Sequence, residues 1–275
     1  MDPLNKREHF QVKLCTFNVN SIRVRMGLLS EWLARRADID VLCLQELKTV
    51  DGGFPSEEFR ALGYVCRTFG QKAYNGVAVC SKTEPETVKI GFGDPHLDIQ
   101  SRLITARFGS FGGLGGLHVV NVYAPHGGLR GDEKFAYKLQ WYDALLDYLK
   151  GTFRPEDDVI LTGDLNVTMS DIDVHDPVLL KDAVGTMREE RAALARILDF
   201  GFVDAFRHLY PDRRQFTWWD YVGGAVWKDE GMRLDYVLCT RSLAARLKSV
   251  EVDMRPRKRR SVKPSDHTAV IAEFE

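Results

Sequence analysis

The sequence predicts an α/β protein in which two stacked β-sheets are flanked by helices. Two observations carry this. Short apolar runs recur along the whole chain with few helices between them, a pattern that suits sheets packed face to face and covered from outside. No linker, repeat or low-complexity stretch divides the chain, so its 275 residues, 44% hydrophobic, read as one sizeable core. Charged residues make up 28%, as in globular proteins. Lys+Arg 38 against Asp+Glu 39 leaves a net charge of -1, which neither demands nor excludes nucleic acid; a local basic surface would decide that.

Strand candidates fall at 11–19, 39–45, 76–81, 102–108, 117–123, 158–163, 215–219, 233–239, 249–254 and 268–274. In Val250-Glu-Val-Asp-Met254 the apolar residues alternate onto one face, whereas 39–44 is almost wholly apolar and calls for cover on both faces. The spacing predicts helices over 22–36 (Ile22, Met26, Leu29, Leu33), 133–150 (Phe135, Leu139, Tyr142, Leu146, Leu149) and 188–199 (Leu194, Ile197, Leu198). Asp132 is placed to N-cap the second helix. Gly112-Gly-Leu-Gly-Gly116 lies between two strand-like runs with no helix after it, so it reads as a hairpin connection rather than a phosphate loop.

The cysteines, Cys15, Cys43, Cys66, Cys80 and Cys239, are odd in number and lack CxxC spacing. They read as small buried hydrophobes in a reducing compartment, without a disulfide or zinc framework. Residues 1–10 read as a short extension ahead of a single domain over 11–275. That extension has no signal-like apolar stretch, and no run nears the ~18 residues of a membrane span. The expectation is a cytoplasmic protein with no membrane partner, and the lack of a long N-terminal extension points to a bacterial or archaeal source.

Several apolar runs end on acidic or amide residues. Val12-Lys-Leu-Cys-Thr-Phe ends at Asn18, Ile39-Asp-Val-Leu-Cys-Leu-Gln at Glu46, and Val159-Ile-Leu-Thr-Gly at Asp164, with Asn166 two residues on; Lys263-Pro-Ser leads into Asp266-His267. If these runs are neighbouring strands, their ends converge. Three carboxylates, two amides and an imidazole in one place suit a hard divalent cation and metal-assisted phosphoester hydrolysis. In Asp164-Leu-Asn166 the two polar side chains share a face; Asp164 can take a proton from water and Asn166 can donate to a phosphate oxygen, although an Asx turn accounts for the same residues. His267 beside Asp266 can bind phosphate as imidazolium, and Asp235, inside an apolar alternation, is a candidate to orient it. Tyr123 is either a phosphate contact or a core-edge tyrosine. Phe216-Thr-Trp-Trp-Asp-Tyr221 reads as core packing or as a wall for a flipped-out sugar. Arg255-Pro-Arg-Lys-Arg-Arg260, which holds Arg257, reads equally as a solvated loop or a phosphate-contacting one.

Taken with Phe17-Asn-Val-Asn-Ser-Ile-Arg, Leu44-Gln-Glu-Leu-Lys48, Tyr74-Asn-Gly-Val-Ala, Asn121-Val-Tyr-Ala-Pro125, Lys134-Phe-Ala-Tyr-Lys138, Asp171-Ile-Asp-Val, Arg233-Leu-Asp-Tyr236 and Lys263-Pro-Ser-Asp-His267, these motifs run in order over nearly the whole length. The chain resembles the exonuclease III family of abasic-site (AP) endonucleases, within the endonuclease/exonuclease/phosphatase superfamily. The resemblance implies a four-layer α/β sandwich with the site where the two sheets meet at one edge. It implies a metal site of Glu46 with Asn18, Asp164, Asn166 and Asp266, and a catalytic set of Tyr123, Asp164, Asn166, Asp235 and His267. DNA contacts would come from Lys48, Tyr74, Asn75, His126, Arg130 and Arg257, with Trp218, Met232 and Leu234 lining an abasic-sugar pocket. The implied activity is Mg2+-dependent hydrolysis (Mn2+ the alternative) 5′ to abasic sites in duplex DNA by a monomer, with 3′→5′ exonuclease and trimming of blocked 3′ ends. The alternatives are an end-processing exonuclease or 3′-phosphatase without AP endonuclease activity, another phosphoesterase of the superfamily, or a DNA-binding protein without catalysis. The chain departs from the family at Met232, where relatives carry an aromatic or other bulky apolar residue, at Asn20 and His126, and over 176–187.

Overall fold

The computed structural model describes residues 11–111, 114–259 and 263–275; the expected extension 1–10, the centre of the glycine hairpin and Arg260 lie outside them. The first part of the chain runs β1 (Val12–Asn18), α1 (Ile22–Arg35), β2 (Val41–Gln45), α2 (Ser56–Ala61), β3 (Val65–Phe69), β4 (Val77–Ser81) and β5 (Thr87–Ile90). The middle runs β6 (Leu103–Arg107), β7 (Ser110–Phe111), β8 (Leu114–Gly115), β9 (His118–Tyr123), α3 (Glu133–Thr152), β10 (Val159–Asp164), α4 (Arg188–Asp199) and β11 (Phe202–Asp204). The last part runs α5 (Ala205–Leu209), β12 (Trp218–Trp219), α6 (Ala225–Lys228), β13 (Gly231–Met232), β14 (Asp235–Thr240), α7 (Arg241–Ala244), β15 (Leu247–Asp253) and β16 (Ala269–Phe274).

Two six-stranded sheets result, in the orders β15-β16-β1-β2-β4-β3 and β11-β14-β10-β9-β6-β5. Both are mixed: β1–β2 and β9–β10 are parallel and the remaining pairs antiparallel. Alternation sorts the side chains into layers. Val12 and Leu14 of β1, Val41 and Cys43 of β2, and Val77 and Val79 of β4 meet Ile104, Val119, Ile160 and Val237 of the other sheet in a buried inter-sheet core. The opposite face of the first sheet packs Cys15, Phe17, Leu42 and Leu44 on Leu28, Leu29, Trp32 and Leu33 of α1 and Phe59 of α2. The second sheet covers Val120, Val122, Leu161 and Leu238 with Trp141, Tyr142 and Leu145 of α3 and Leu194 and Ile197 of α4. The order helix, sheet, sheet, helix is the expected four-layer sandwich. No helix among the described residues is long and apolar enough to cross a membrane.

Four expectations need correction. The strand expected at 215–219 shrinks to the two residues of β12, paired with β13. The strand expected at 233–239 starts only at Asp235, because the Arg233 N–H donates to the Asp173 carbonyl (2.9 Å) and not to a strand neighbour. Asp132 precedes α3 but caps it with no side-chain bond; its carboxylate turns back to the Leu129 N–H (2.9 Å). Cys66 and Cys80, read as free thiols, stand opposite each other across β3 and β4 with Cα atoms 3.9 Å apart and form a disulfide, while Cys15, Cys43 and Cys239 are free and buried. Their separation of 14 residues hides a cross-strand register that only pairing reveals.

Candidate active site

The inter-sheet layer turns from apolar to polar along β1 and β10. Facing the core, β1 goes from Val12 and Leu14 to Thr16 and Asn18, and β10 from Ile160 to Thr162 and Asp164. Register then aligns the polar ends: Asn18 pairs with Gln45 in one sheet, and Asp164 pairs with both Tyr123 and Asp235 in the other. Beneath them the Gln45 amide bridges the sheets, donating to Asn121 Oδ1 (2.7 Å) and Thr16 Oγ1 (2.9 Å). The chain leaves these strand ends abruptly. Glu46 (φ 54°), Lys48 (φ 54°) and Asn166 (φ 51°) all occupy the left-handed region, where a non-glycine residue is held only by its surroundings. Gly163, at φ 137°, is required as glycine because a Cβ would lie 1.9 Å from the Val122 carbonyl oxygen.

The polar side chains hold one another. Asn18 Nδ2 donates to Glu46 Oε1 (2.9 Å) and Asp164 Oδ2 (2.8 Å), and its own oxygen accepts the Asn20 N–H (3.0 Å). Asn18 therefore ties two carboxylates together and turns its carbonyl toward the backbone. Asp266 accepts from Asn20 Nδ2 (2.9 Å) and from the Trp218 indole (3.1 Å). His267 Nδ1 lies 2.8 Å from Asp235 Oδ2, and its Nε2 lies 3.6 Å from Asp164 Oδ2. Asn166 places its N–H on Asp164 Oδ1 (2.9 Å) and its amide on the Ala124 carbonyl (2.9 Å). Lys48 Nζ reaches Glu46 Oε2 (2.8 Å) and Asn20 Oδ1 (2.5 Å).

Burial raises the Asp164 pKa above its ordinary value even though His267 opposes the rise. Burial disfavours the His267 cation, but the Asp235 and Asp164 carboxylates outweigh it and raise that pKa. For Glu46, the ammonium of Lys48 and the amide of Asn18 overcome burial and lower the pKa; Asp266 is lowered likewise by His267 and Asn20. A buried carboxylate with a raised pKa is short of positive charge, and the oxygen donors of Glu46, Asp164 and Asp266 suit a hard divalent cation. Ligand atoms of Glu46, Asp164 and His267 lie within 4.8 Å of one another. A His267 protonated between two carboxylates has no lone pair to give, so the oxygens are the better donors.

These groups line a cavity of about 210 Å³ with Tyr123, His126, Asn166, Val184, Trp218, Met232 and Leu234. A sequence model of the endonuclease/exonuclease/phosphatase family matches residues 15–267. The chain belongs to that family. Exodeoxyribonuclease from Bacillus subtilis is 35% identical over 266 residues, covering 94% of this chain and 98% of its own. The solved structure of an AP endonuclease from Archaeoglobus fulgidus superimposes with a TM-score of 0.89 at 39% identity, covering 96% of this chain and 99% of that one. The structure of a 3′ phosphatase from Neisseria bound to a product DNA hairpin does so with a TM-score of 0.86 at 35% identity, covering 96% and 99%. This endonuclease/exonuclease/phosphatase-family chain is thus a hydrolase of the exodeoxyribonuclease III and AP endonuclease type.

Around this family site the outer residues divide. Trp218, Met232 and Leu234 come together as one apolar wall with Val174. Tyr74 is exposed, and with Asn75, Tyr123 and His126 it borders a wider groove of about 580 Å³ beside the cavity. Arg130 is exposed but engaged with Glu189 (2.9 Å) and Asp182 (2.8 Å). Arg257 needs correction as a DNA contact: it is 5% exposed and donates to the carbonyls of Asp266 (3.2 Å) and Trp219 (3.1 Å), bracing the ends of the site from behind. Two buried charge clusters are not evident from the sequence. Arg233 joins Asp173 (2.8 Å) and Asp204 (2.7 Å) behind the Met232–Leu234 wall, and Lys138 joins Glu190 (2.6 Å) under Asn166. The one available signal was a charge inside an apolar pattern, Arg233 between Met232 and Leu234, and Lys138 between Phe135 and Trp141.

Proposed function

We propose that this protein is a Mg2+-dependent DNA repair nuclease, acting as a monomer, that hydrolyses the phosphodiester 5′ to abasic sites in duplex DNA and also processes 3′ ends. One observation carries the reading: Asp164, its Oδ2 3.6 Å from His267 Nε2, shares with that imidazole a cavity also lined by the apolar Trp218, Met232 and Leu234, and burial raises the Asp164 pKa there. A carboxylate with that pKa serves as base near neutral pH, where an ordinary one is too weak. In the proposed reaction Asp164 takes the proton of the attacking water, whose oxygen bonds the phosphorus as the bond to the 3′-oxygen of the preceding nucleotide breaks; that oxygen takes up a proton and leaves as a 3′-hydroxyl, and the 5′-phosphate stays on the abasic side. Asn166 donates its amide N–H and His267 its Nε2 proton to the phosphate oxygens, neutralising charge as it develops. Asp235 holds the imidazole by Nδ1 at 2.8 Å. Tyr123 presents a phenol kept protonated by burial and by Glu46 and Asp164. Glu46 and Asp266, with Asp164 and Asn166 flanking, would hold the cation, which supplies Lewis-acid polarisation of the phosphate when bound; Asn18, expected as a ligand, instead turns its nitrogen to the carboxylates and orients them. An extruded abasic sugar, lacking a base to stack, fits the apolar wall where a full nucleotide does not.

Support for a second reading, an end-processing enzyme without lesion cutting, comes from the Neisseria 3′ phosphatase, as similar to this chain as the exodeoxyribonuclease is. Met232 favours it too, because a flexible side chain grips a sugar loosely. A gel assay on an end-labelled duplex carrying one abasic analogue that resists β-elimination, with Mg2+ or EDTA, separates the two. A single Mg2+-dependent cut 5′ to the lesion is expected. Shortening or dephosphorylation from the 3′ end without that cut would overturn the lesion-specific assignment, and binding without any cleavage would overturn the enzymatic one.

A further inference from the structure

We propose that Lys138 is a positioning residue for Asn166, its buried ammonium fixing the loop that offers the Asn166 amide to the scissile phosphate; the inference rests on the role given to Asn166 above. Lys138 has no exposed surface and sits on the apolar stripe of α3 beside Trp141 and Tyr142. An ammonium is tolerated there only if all its protons are used. They are: Nζ donates to Glu190 Oε1 (2.6 Å), to the Asn166 carbonyl (2.7 Å) and to the His126 carbonyl (3.1 Å). Glu190, equally buried, spends its other oxygen on the Gly185 (2.8 Å) and Met187 (3.0 Å) N–H groups.

One ion pair therefore joins the loop after β9, the loop after β10 and the segment ahead of α4. All three border the candidate cavity, through His126, Asn166 and Val184. The packing is close: a Cβ at Gly127 would come within 2.8 Å of Lys138 Cδ. Stability alone does not call for this arrangement, because a buried ion pair is commonly replaceable by apolar residues of similar volume at no loss. What a hydrophobic replacement cannot do is hold a carbonyl. Asn166 stands in the left-handed region, and its backbone is pinned on one side by Asp164 and on the other by Lys138. Releasing the Lys138 side lets the amide drift, and misplacement of about 1 Å costs on the order of 10²-fold in turnover.

The test is a double-mutant cycle in the full chain, read as kcat and KM on whichever phosphoester the wild type turns over, a 3′-phosphorylated duplex or an abasic duplex. The first arm is Lys138→Met with Glu190→Gln, which leaves no uncompensated charge; the second is Asn166→Ala; the third combines them. The expected result is a fall in kcat on the order of 10²-fold in the first arm with KM nearly unchanged, and a combined enzyme no slower than Asn166→Ala alone. Independent, multiplying losses would overturn the proposal, as would a first arm with wild-type kcat while Asn166→Ala is impaired. An Asn166→Ala enzyme with wild-type kcat overturns instead the role of Asn166, and the proposal with it. Failure of the charge-neutral pair to reach the wild-type circular dichroism spectrum would mean that Lys138 serves the fold, which also overturns it.

Discussion

The two ends of the inter-sheet layer are built from the same strands by the same alternation, yet they differ in kind. At one end Val12, Leu14 and Ile160 face one another with no polar group in need of a partner. At the other, four and two residues on from Leu14 and Thr162, Asn18 and Asp164 meet across the layer at 2.8 Å in a mesh where each carboxylate is restrained by an amide, an indole, an imidazole or an ammonium. Gln45, Thr16 and Asn121 mark the boundary. Position along a strand, and not strand type, separates fold from chemistry, and register couples them: a slip of one residue would turn Asn18 and Asp164 out of the layer together with Leu14 and Ile160.

That contrast can be broken from either end. Short of Asp164 itself, the largest effect is expected from Glu46→Ala, which removes an anionic donor at the polar end: cleavage falls by about 10²–10³-fold. Urea unfolding should leave its stability near wild type, and normal turnover at matched stability would refute the assignment. At the apolar end Leu14→Ala should cost about 2–5 kcal/mol of stability, with the specific activity of the folded fraction unchanged. A matching loss of kcat would show that the two ends are not separable. Asp173→Asn probes the buried network behind the pocket wall. Burial raises the Asp173 pKa, but Arg233 and Arg207 outweigh it and hold it below 3.8. A depressed carboxyl pKa contributes stability that is present above the ordinary value and lost as pH falls through the folded one. The variant should therefore be less stable to urea than wild type at pH 7, by roughly 3 kcal/mol, and the gap should close as pH drops below about 4. A gap independent of pH would place the effect in packing. The smallest effect is expected for Tyr123→Phe, the loss of one hydrogen bond worth about 0.5–1.5 kcal/mol, or roughly 2–10-fold in kcat.

Much of this was legible in the chain because strand ends are easy to find. An apolar run that stops on Glu46 or Asp164 announces a side chain at the rim of a sheet, and i, i+2 spacing carries Asp164 with Asn166 and Asn121 with Tyr123 onto shared faces. What stayed hidden depended on contacts between distant segments. Arg257 belongs to a run of basic residues that reads as surface, and only the approach of Trp219 and Asp266 turns it inward. Lys138 looks like a solvated helix residue until Glu190 meets it from α4. Asn18 offered an oxygen by composition, whereas the two carboxylates beside it select its nitrogen. The Cys66–Cys80 bond needed the pairing of β3 with β4.

The most direct test places one change at each end of a single strand. Asp164→Asn and Ile160→Ala, four residues apart on β10, would be compared for melting temperature and for single-turnover cleavage of the abasic duplex in Mg2+. Asp164→Asn is expected to lose cutting by about 10²–10⁴-fold while melting at or above the wild-type temperature, since it removes a buried carboxylate whose ionisation burial opposes. Ile160→Ala is expected to melt several degrees lower and cut at the wild-type rate while folded. An Asp164→Asn protein that cuts normally, or an Ile160→Ala protein that stays stable but does not cut, would contradict the division of labour along the strand.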